Sequence, residues 1–169
     1  MPRVGGTFRD GHDSGYREIE RVIASAAIFS SDGKLLMGRK DPHGGGVYPD
    51  MWHIPGGGRE NGESLDDAVI REVGQEVVGL DLAKYPRKPL PWVDRGSALK
   101  TLPTGERVRA IMIFHRFEVH LDELADELTK RVMPGSDLIE LRWVAKEELR
   151  TLAAESDINK WFADAGYLS

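Results

Sequence analysis

The sequence of 169 residues contains no cysteine, no long apolar run and no excess of basic residues. The missing cysteines exclude disulfide bonds, thiolate metal sites and cysteine nucleophiles, and they are typical of the reducing cytoplasm, where we expect this protein. No stretch approaches the ~18 apolar residues of a membrane span, and the polar, glycine-rich start has no signal-peptide core. With a net charge of −5, the chain lacks the basic face of a protein that binds nucleic acid polymers. An acidic protein can still bind a phosphorylated small molecule when a metal ion screens the repulsion.

The length predicts one domain, with residues 1–17 as a flexible lead-in and residues 18–169 as the domain. Apolar runs and turn signals predict strands at 19–30, 35–37, 51–54, 107–119 and 138–144, an irregular or edge segment at 80–93, and helices at 65–78, 146–154 and 158–165. The 107–119 strand is apolar on both faces, as in the centre of a sheet. This order of elements predicts an α+β layered domain.

The helix that begins at Leu65 has acidic residues where an apolar edge is expected. Ser64 is in the N-cap position, and at about 100° per residue one apolar stripe contains Leu65, Val69, Val73 and Val77. Glu72 and Glu76 lie at the edge of that stripe, at about 340° and 20° from Leu65. Two carboxylates one turn apart beside a buried face repel each other and resist desolvation. A cation would resolve both problems, and Mg²⁺ suits the position because it prefers oxygen ligands and shares them with phosphates.

Three neighbouring features favour a metal site over the ordinary alternative, a solvated acidic helix face. Gly56, Gly57 and Gly58 let the backbone approach the helix closely and offer a carbonyl or amide groups. Arg71 can hold a carboxylate with its planar guanidinium. Glu63 precedes the helix, where an acid favours the positive end of the helix dipole. We expect a structural role for Glu63, as a partner of Arg71.

These residues resemble the Nudix box, the signature of the Nudix hydrolases. Six positions of that pattern are in register, namely Gly57, Glu63, Arg71, Glu72, Val73 and Glu76. Two positions depart from it. Gln75 stands where the family has a glutamate, and Val78 stands where it has a glycine, which here follows one residue later at Gly79. The resemblance extends over about residues 20–155, including the 52–56 lead-in and the strand at 139–144.

The resemblance implies a Nudix-like α/β/α sandwich with a mixed sheet and the metal-binding loop and helix on one side. It further implies a Nudix-type pyrophosphohydrolase that acts on acid anhydrides. The substrate would be a nucleoside diphosphate derivative, that is, a nucleotide, a dinucleotide or a nucleotide sugar.

Mg²⁺ would be the cofactor, with Mn²⁺ as a substitute. By the same resemblance, the Gly56 carbonyl and the carboxylates of Glu72 and Glu76 bind metal, and Arg71 orients its acidic neighbour. Gln75 would be an uncharged fourth ligand and would leave fewer or weaker metals. Family members are often homodimers, so self-association is compatible with the resemblance.

The general base and the substrate contacts are less clearly indicated. In the family the base lies in the box or on a distant loop, and Glu140 is our candidate, with Asp137 and His115 as alternatives. Each of the three has an ordinary reading as a surface acid or a strand histidine. Tyr48 and Trp52 could stack on a base, although core or hairpin packing is the favoured alternative for both. Arg39 and Lys40 could meet phosphates, and a solvated strand end would explain them equally well.

Three other functions compete with this interpretation. An isopentenyl diphosphate isomerase shares the fold but relies on a catalytic cysteine, which this chain lacks. A non-catalytic module that binds a nucleotide or metabolite would explain Gln75 as a mark of lost activity. A glycosyl hydrolase of sugar nucleotides, releasing the sugar, tolerates the loss of one box glutamate and would give His115 the role of base.

Overall fold

The computed structural model describes residues 15–43, 50–154, 162–163 and 165–167. The first half of the chain contains strands β1 Arg17–Phe29, β2 Leu35–Lys40, β3 Trp52–His53 and β4 Gly56–Gly58, followed by helix α1 Leu65–Glu76, strand β5 Val77–Val78 and a 3₁₀ turn at Leu82–Lys84. The second half contains strands β6 Lys88–Thr101 and β7 Arg107–His120, helix α2 Ala125–Thr129, strands β8 Met133–Pro134 and β9 Leu138–Val144, and helix α3 Lys146–Ala154.

Seven strands form one mixed sheet. Its main path runs β3–β2–β1–β7–β6, with β4 paired to β1 and β9 paired to β2. β1 and β7 are parallel, in register from Arg17 opposite Val108 to Phe29 opposite His120. The other pairs in the sheet are antiparallel. β5 and β8 form a separate two-stranded ribbon.

The two faces of the sheet pack against different helices. Ala24, Ala26 and Ile28 of β1 share a buried cluster with the valines of α1. The alternating residues Ala27 and Phe29 belong to a second cluster that contains Leu149 and Leu152 of α3. Because successive strand residues point to opposite faces, α1 and α3 cover opposite sides of the sheet. This arrangement confirms the predicted α+β class and the α/β/α sandwich.

Most of the predicted elements are confirmed, including the central position of β7. The predicted cap of α1 is also present, because the Ser64 hydroxyl accepts a hydrogen bond from the Asp67 amide at 3.0 Å. α1 ends at Glu76 instead of near 78, since Val77 and Val78 pair with β8. The segment predicted as irregular or edge becomes an edge strand, β6, which continues to Thr101 after a register shift between Pro89 and Val93. Most of the helix predicted at 158–165 lies outside the described residues.

Candidate active site

Arg71 links the loop before α1 to the helix itself. Its Nε and Nη2 atoms donate to the two carboxylate oxygens of Glu63 at 2.8 and 2.9 Å. Nη1 donates to Glu72 Oε1 at 2.9 Å, and Nη2 also donates to the Gly58 carbonyl at 2.9 Å. The hydrogen bonds from Arg71 lower the pKa of Glu63 to about 2, so this carboxylate is ionised at neutral pH. Arg71 therefore holds Glu72 in one orientation, and Glu63 has the structural pairing expected of it.

The glycines after Pro55 allow three separate close approaches. A Cβ atom on Gly56 would collide with the backbone of Ala24 and Ser25 in β1, and one on Gly57 would collide with the Glu72 carboxylate. The Gly56 amide donates to Glu76 Oε1 at 2.7 Å. The backbone thus lies directly against both glutamates of α1, as the glycine run predicts.

Glu76 is the most deeply buried acid of this region, with 3% of its surface exposed. Burial is the main cause that raises its pKa to about 8; the Gly56 amide and Lys40 oppose this rise, and the nearby Asp137 and Glu72 make smaller contributions to it. No basic side chain in the described part of the chain forms an ion pair with it. A buried carboxyl group of this kind is costly to ionise unless a cation is supplied from outside the protein.

Glu72 and Glu76 line an open cavity of about 420 Å³. Its wall also contains the glycines of β4 and the charged or polar side chains Arg21, Ser25, Lys40, Lys100, Arg116 and Asp137. Among the described residues, no group of three acidic, histidine or cysteine side chains is arranged as a metal-binding set. A metal here would therefore use the two glutamates, a backbone carbonyl and ligands from water or substrate.

The cavity contains one of the three candidate bases. Asp137 lines it and accepts a hydrogen bond from Lys40 Nζ at 3.1 Å. Glu140 is not part of the lining, and its carboxylate accepts a hydrogen bond from Arg39 Nε at 3.2 Å. His115 lies on the opposite face of β7 from the lining residues Met112, Phe114 and Arg116. The structure thus brings Asp137, and neither Glu140 nor His115, to the glutamates of α1.

Of the predicted substrate contacts, Lys40 lines this cavity, whereas Arg39 and Trp52 do not. Arg39 forms an ion pair with Asp50 at 2.7 Å in addition to its bond with Glu140. Trp52 is buried in the α3-side core, where the Arg142 guanidinium lies 4.7 Å from its ring centre. Trp52 therefore packs in the core, which was the alternative to stacking on a substrate base. Tyr48 lies outside the described residues.

Gln75 is exposed and does not line the cavity, although the two glutamates that flank it in the motif do. The structure does not bring its amide to the other predicted ligands. The cause is the helix geometry, because one residue rotates the side chain by about 100° around the axis.

Several cavity residues were not predicted from the sequence. Arg116 is 4% exposed and donates to Asp94 Oδ2 at 2.6 Å. Burial lowers its pKa, and the Asp94 carboxylate opposes that effect. Ser25 is 5% exposed, and its hydroxyl has no hydrogen-bond partner among the residues described. An arginine within the apolar β7 sequence was the one available signal, since a buried charge in a central strand requires a partner or a ligand.

Comparison with known proteins agrees with this arrangement of loop, helix and cavity. A model of the NUDIX domain matches residues 20–165. The chain belongs to the Nudix family. It is an enzyme of the pyrophosphohydrolase type, as the box predicts. Among Nudix relatives, the nucleoside triphosphatase NudI of Enterobacter sp. (strain 638) is 29% identical over 150 residues, covering 88% of this chain and 99% of the relative.

Solved Nudix structures also resemble this fold. The MutT protein of Methanosarcina mazei Go1 is 26% identical, with a TM-score of 0.52, over 90% of this chain and 97% of that one. A bifunctional NMN adenylyltransferase/ADP ribose pyrophosphatase of Francisella tularensis has a TM-score of 0.58 at 18% identity, over 86% of this chain and 41% of that one. The second likeness concerns the fold alone. Within the part of the chain that the structure describes, no helix is long and apolar enough to cross a membrane.

Proposed function

We propose that this Nudix protein hydrolyses a diphosphate linkage in a nucleoside diphosphate derivative with the help of Mg²⁺. The observation that carries the proposal is the buried Glu76 carboxyl group, which faces the cavity beside Glu72 and has no cationic partner in the described structure. A magnesium ion would neutralise both acids and bring a phosphate group to the same place.

The residues present fit this metal. Glu72, Glu76 and the carbonyl of Gly56 supply oxygen ligands, and Mg²⁺ commonly keeps several water or phosphate ligands besides those of the protein. Mn²⁺ accepts the same ligand types, and a structurally similar bifunctional NMN adenylyltransferase/ADP ribose pyrophosphatase of Francisella tularensis was solved with AMP and a manganese ion. When bound, the metal supplies charge neutralisation at the phosphate oxygens and lowers the pKa of a coordinated water.

The side chains of the chain have separate tasks in this reaction. Arg71 orients Glu72 through its bond to Oε1. Asp137 is the group we propose as general base, in place of Glu140, because it lies in the cavity and accepts a hydrogen bond from Lys40. It would take a proton from the attacking water. The water oxygen forms a bond to phosphorus while the phosphoanhydride P–O bond breaks and the leaving phosphate takes the electron pair.

Nucleoside triphosphates are the first substrates to examine, since two of the relatives are named nucleoside triphosphatase NudI. A panel of nucleoside triphosphates, dinucleoside polyphosphates and nucleotide sugars, incubated with Mg²⁺, should release phosphate, diphosphate or a mononucleotide. Release of free sugar from nucleotide sugars would instead support the glycosyl hydrolase alternative. Ligand binding without turnover across the panel would contradict hydrolysis and favour the binding module.

A matched pair of variants tests the base. Asp137→Asn should reduce kcat by about 10²–10⁴-fold, the range expected for loss of general base catalysis. Glu140→Gln should change kcat by less than about threefold, because its carboxylate faces Arg39 outside the cavity. The reverse result would restore Glu140 as the base.

A further inference from the structure

Four basic side chains reach the cavity, and they fall into two groups. Lys40 and Arg116 are each neutralised, by Asp137 at 3.1 Å and by Asp94 at 2.6 Å. Arg21 and Lys100 also line the cavity, and neither forms an ion pair within the described ranges. Two partly buried cations without counter-ions are unusual in a protein with a net charge of −5.

The backbone of β4 makes room for one of these two side chains. A Cβ atom on Gly58 would collide with Nη2 of Arg21, so the guanidinium occupies the space that a side chain at position 58 would fill. Because Gly58 has no side chain, Arg21 can lie at the cavity wall. The neighbouring Gly57 makes room for the Glu72 carboxylate in the same way. Arg21 also borders a second recess containing Glu20, Glu60 and Glu63, yet within the described structure it forms no ion pair with them.

Lys100 comes from the far end of the sheet, on the edge strand β6, and it still reaches the same cavity. Burial lowers the pKa of Lys100, and the positive charges of Arg21 and Lys40 lower it further. Lys100 is therefore close enough to both Arg21 and Lys40 for their positive charges to oppose its own. An anion bound between Arg21 and Lys100 would remove this repulsion and supply both with the missing counter-charge.

We propose that Arg21 and Lys100 form an anion subsite that binds a phosphate group of the substrate's polyphosphate chain, distinct from the phosphates held by the metal. The subsite rests on the proposed function, which it sharpens. The terminal phosphate of a triphosphate has three non-bridging oxygens and up to two negative charges, whereas the second phosphate of a nucleotide sugar is esterified and has two such oxygens and a single charge. The pair Arg21 and Lys100 therefore selects nucleoside triphosphates over nucleotide sugars.

The first test measures binding of inorganic triphosphate to the full chain in EDTA by titration calorimetry at low ionic strength. No metal and no turnover are needed, so the outcome is independent of hydrolysis. Arg21→Ala and Lys100→Ala should each weaken binding about five- to tenfold, and the charge-retaining Arg21→Lys and Lys100→Arg should restore most of it. Gly58→Ala should also weaken binding, because the added methyl group displaces the Arg21 guanidinium without removing its charge.

Two matched controls remove the same charge outside the cavity. Arg59→Ala alters a cation one residue from Gly58, and Lys88→Ala alters a lysine on the same strand as Lys100; neither residue lines the cavity. Both controls should bind triphosphate within about twofold of the wild type. Equal losses in the controls, or no loss in the Arg21 and Lys100 variants, would overturn the subsite. Thermal unfolding of every variant excludes misfolding as a cause.

The second test measures selectivity in the presence of Mg²⁺. The ratio of kcat/KM for a nucleoside triphosphate to that for a nucleotide sugar should fall about tenfold in Arg21→Ala and Lys100→Ala. An unchanged ratio would overturn the proposed selectivity. If no substrate is hydrolysed while metal-free binding still depends on Arg21 and Lys100, the proposed function fails and the subsite stands.

Discussion

The two glutamates of α1 that line the cavity lie one helical turn apart, yet their surroundings differ. Glu72 is held by Arg71, which is itself held by Glu63 and the Gly58 carbonyl. Glu76 is buried, receives one backbone hydrogen bond from Gly56 and has no cationic partner in the described structure. The protein has thus satisfied one carboxylate internally and left the other for a ligand. In the proposed reaction, Arg71 would orient Glu72, and the buried Glu76 would supply affinity for a cation.

The largest effect is expected when the unsatisfied acid is removed. Glu76→Gln should reduce kcat/KM with Mg²⁺ by about 10²–10³-fold, since a metal contributes several kcal/mol to the transition state. The amide oxygen can still accept the bond from Gly56, so folding should be retained. An exposed helical glutamate, Glu147, provides the control as Glu147→Gln. Activity within threefold of wild type in Glu76→Gln would show that the metal site lies elsewhere.

The same variant should be more stable than the wild type without metal. The pKa of Glu76, raised by burial to about 8, lies above its ordinary value. Such a group favours the folded state at low pH, and this advantage is lost as the pH rises from about 4.5 to 8. In EDTA at pH 8, the free energy of unfolding of Glu76→Gln should therefore exceed that of the wild type by about 4 kcal/mol. The difference should vanish near pH 5, as measured by urea unfolding.

A smaller loss of activity is expected when the contact between Arg71 and Glu72 is weakened. Arg71→Lys keeps the charge but loses the planar guanidinium that contacts Glu63, Glu72 and Gly58 together. We expect kcat to fall about 10–100-fold, in the range for residues that orient metal ligands, and stability to fall by about 1–2 kcal/mol. Arg59→Lys is the control. If Arg71→Lys lost more activity than Glu76→Gln, Glu72 and not Glu76 would be the more important acid for the reaction.

The pH dependence of stability separates Glu63 from Glu76. Arg71 lowers the pKa of Glu63 to about 2, so its stabilising effect is present above about pH 4.5 and is lost as the pH falls towards 2. Glu63→Gln should be less stable than the wild type at pH 7, and the two proteins should converge near pH 2. Urea unfolding at several pH values measures this. A constant difference across the range would mean that Glu63 acts by packing instead of charge.

The smallest effect is expected at the position that departs from the family motif. Because the Gln75 side chain is exposed and away from the cavity, Gln75→Glu should change Mg²⁺ affinity by less than about threefold, through long-range attraction alone. Titration calorimetry with Mg²⁺ measures this directly. A gain of tenfold or more would show that position 75 reaches the metal.

The sequence was sufficient for the helix, the glycine loop and the pairing of Arg71 with Glu63, because all three depend on local spacing. It was insufficient where distant strands decide which side chains meet. The pairing of β2 with β9 shifts register between Arg39 and Lys40. As a result Arg39 meets Glu140, and Lys40 meets Asp137 at the cavity. Neither Lys100 nor Arg116 could be assigned to the cavity from the sequence, since their positions depend on how β6 and β7 lie in the sheet.

The parallel pairing of β1 with β7 has a consequence for how the enzyme folds. Each residue of β1 meets a partner about 91 positions later in the chain, such as Arg17 with Val108 and Phe29 with His120. Contacts so far apart in sequence require a large loop to close first, which slows folding relative to proteins with local contacts. A nascent chain that ends before β7 contains the whole Nudix box yet lacks the cavity wall formed by Met112, Phe114 and Arg116. During synthesis, the motif is therefore complete well before a substrate can be bound.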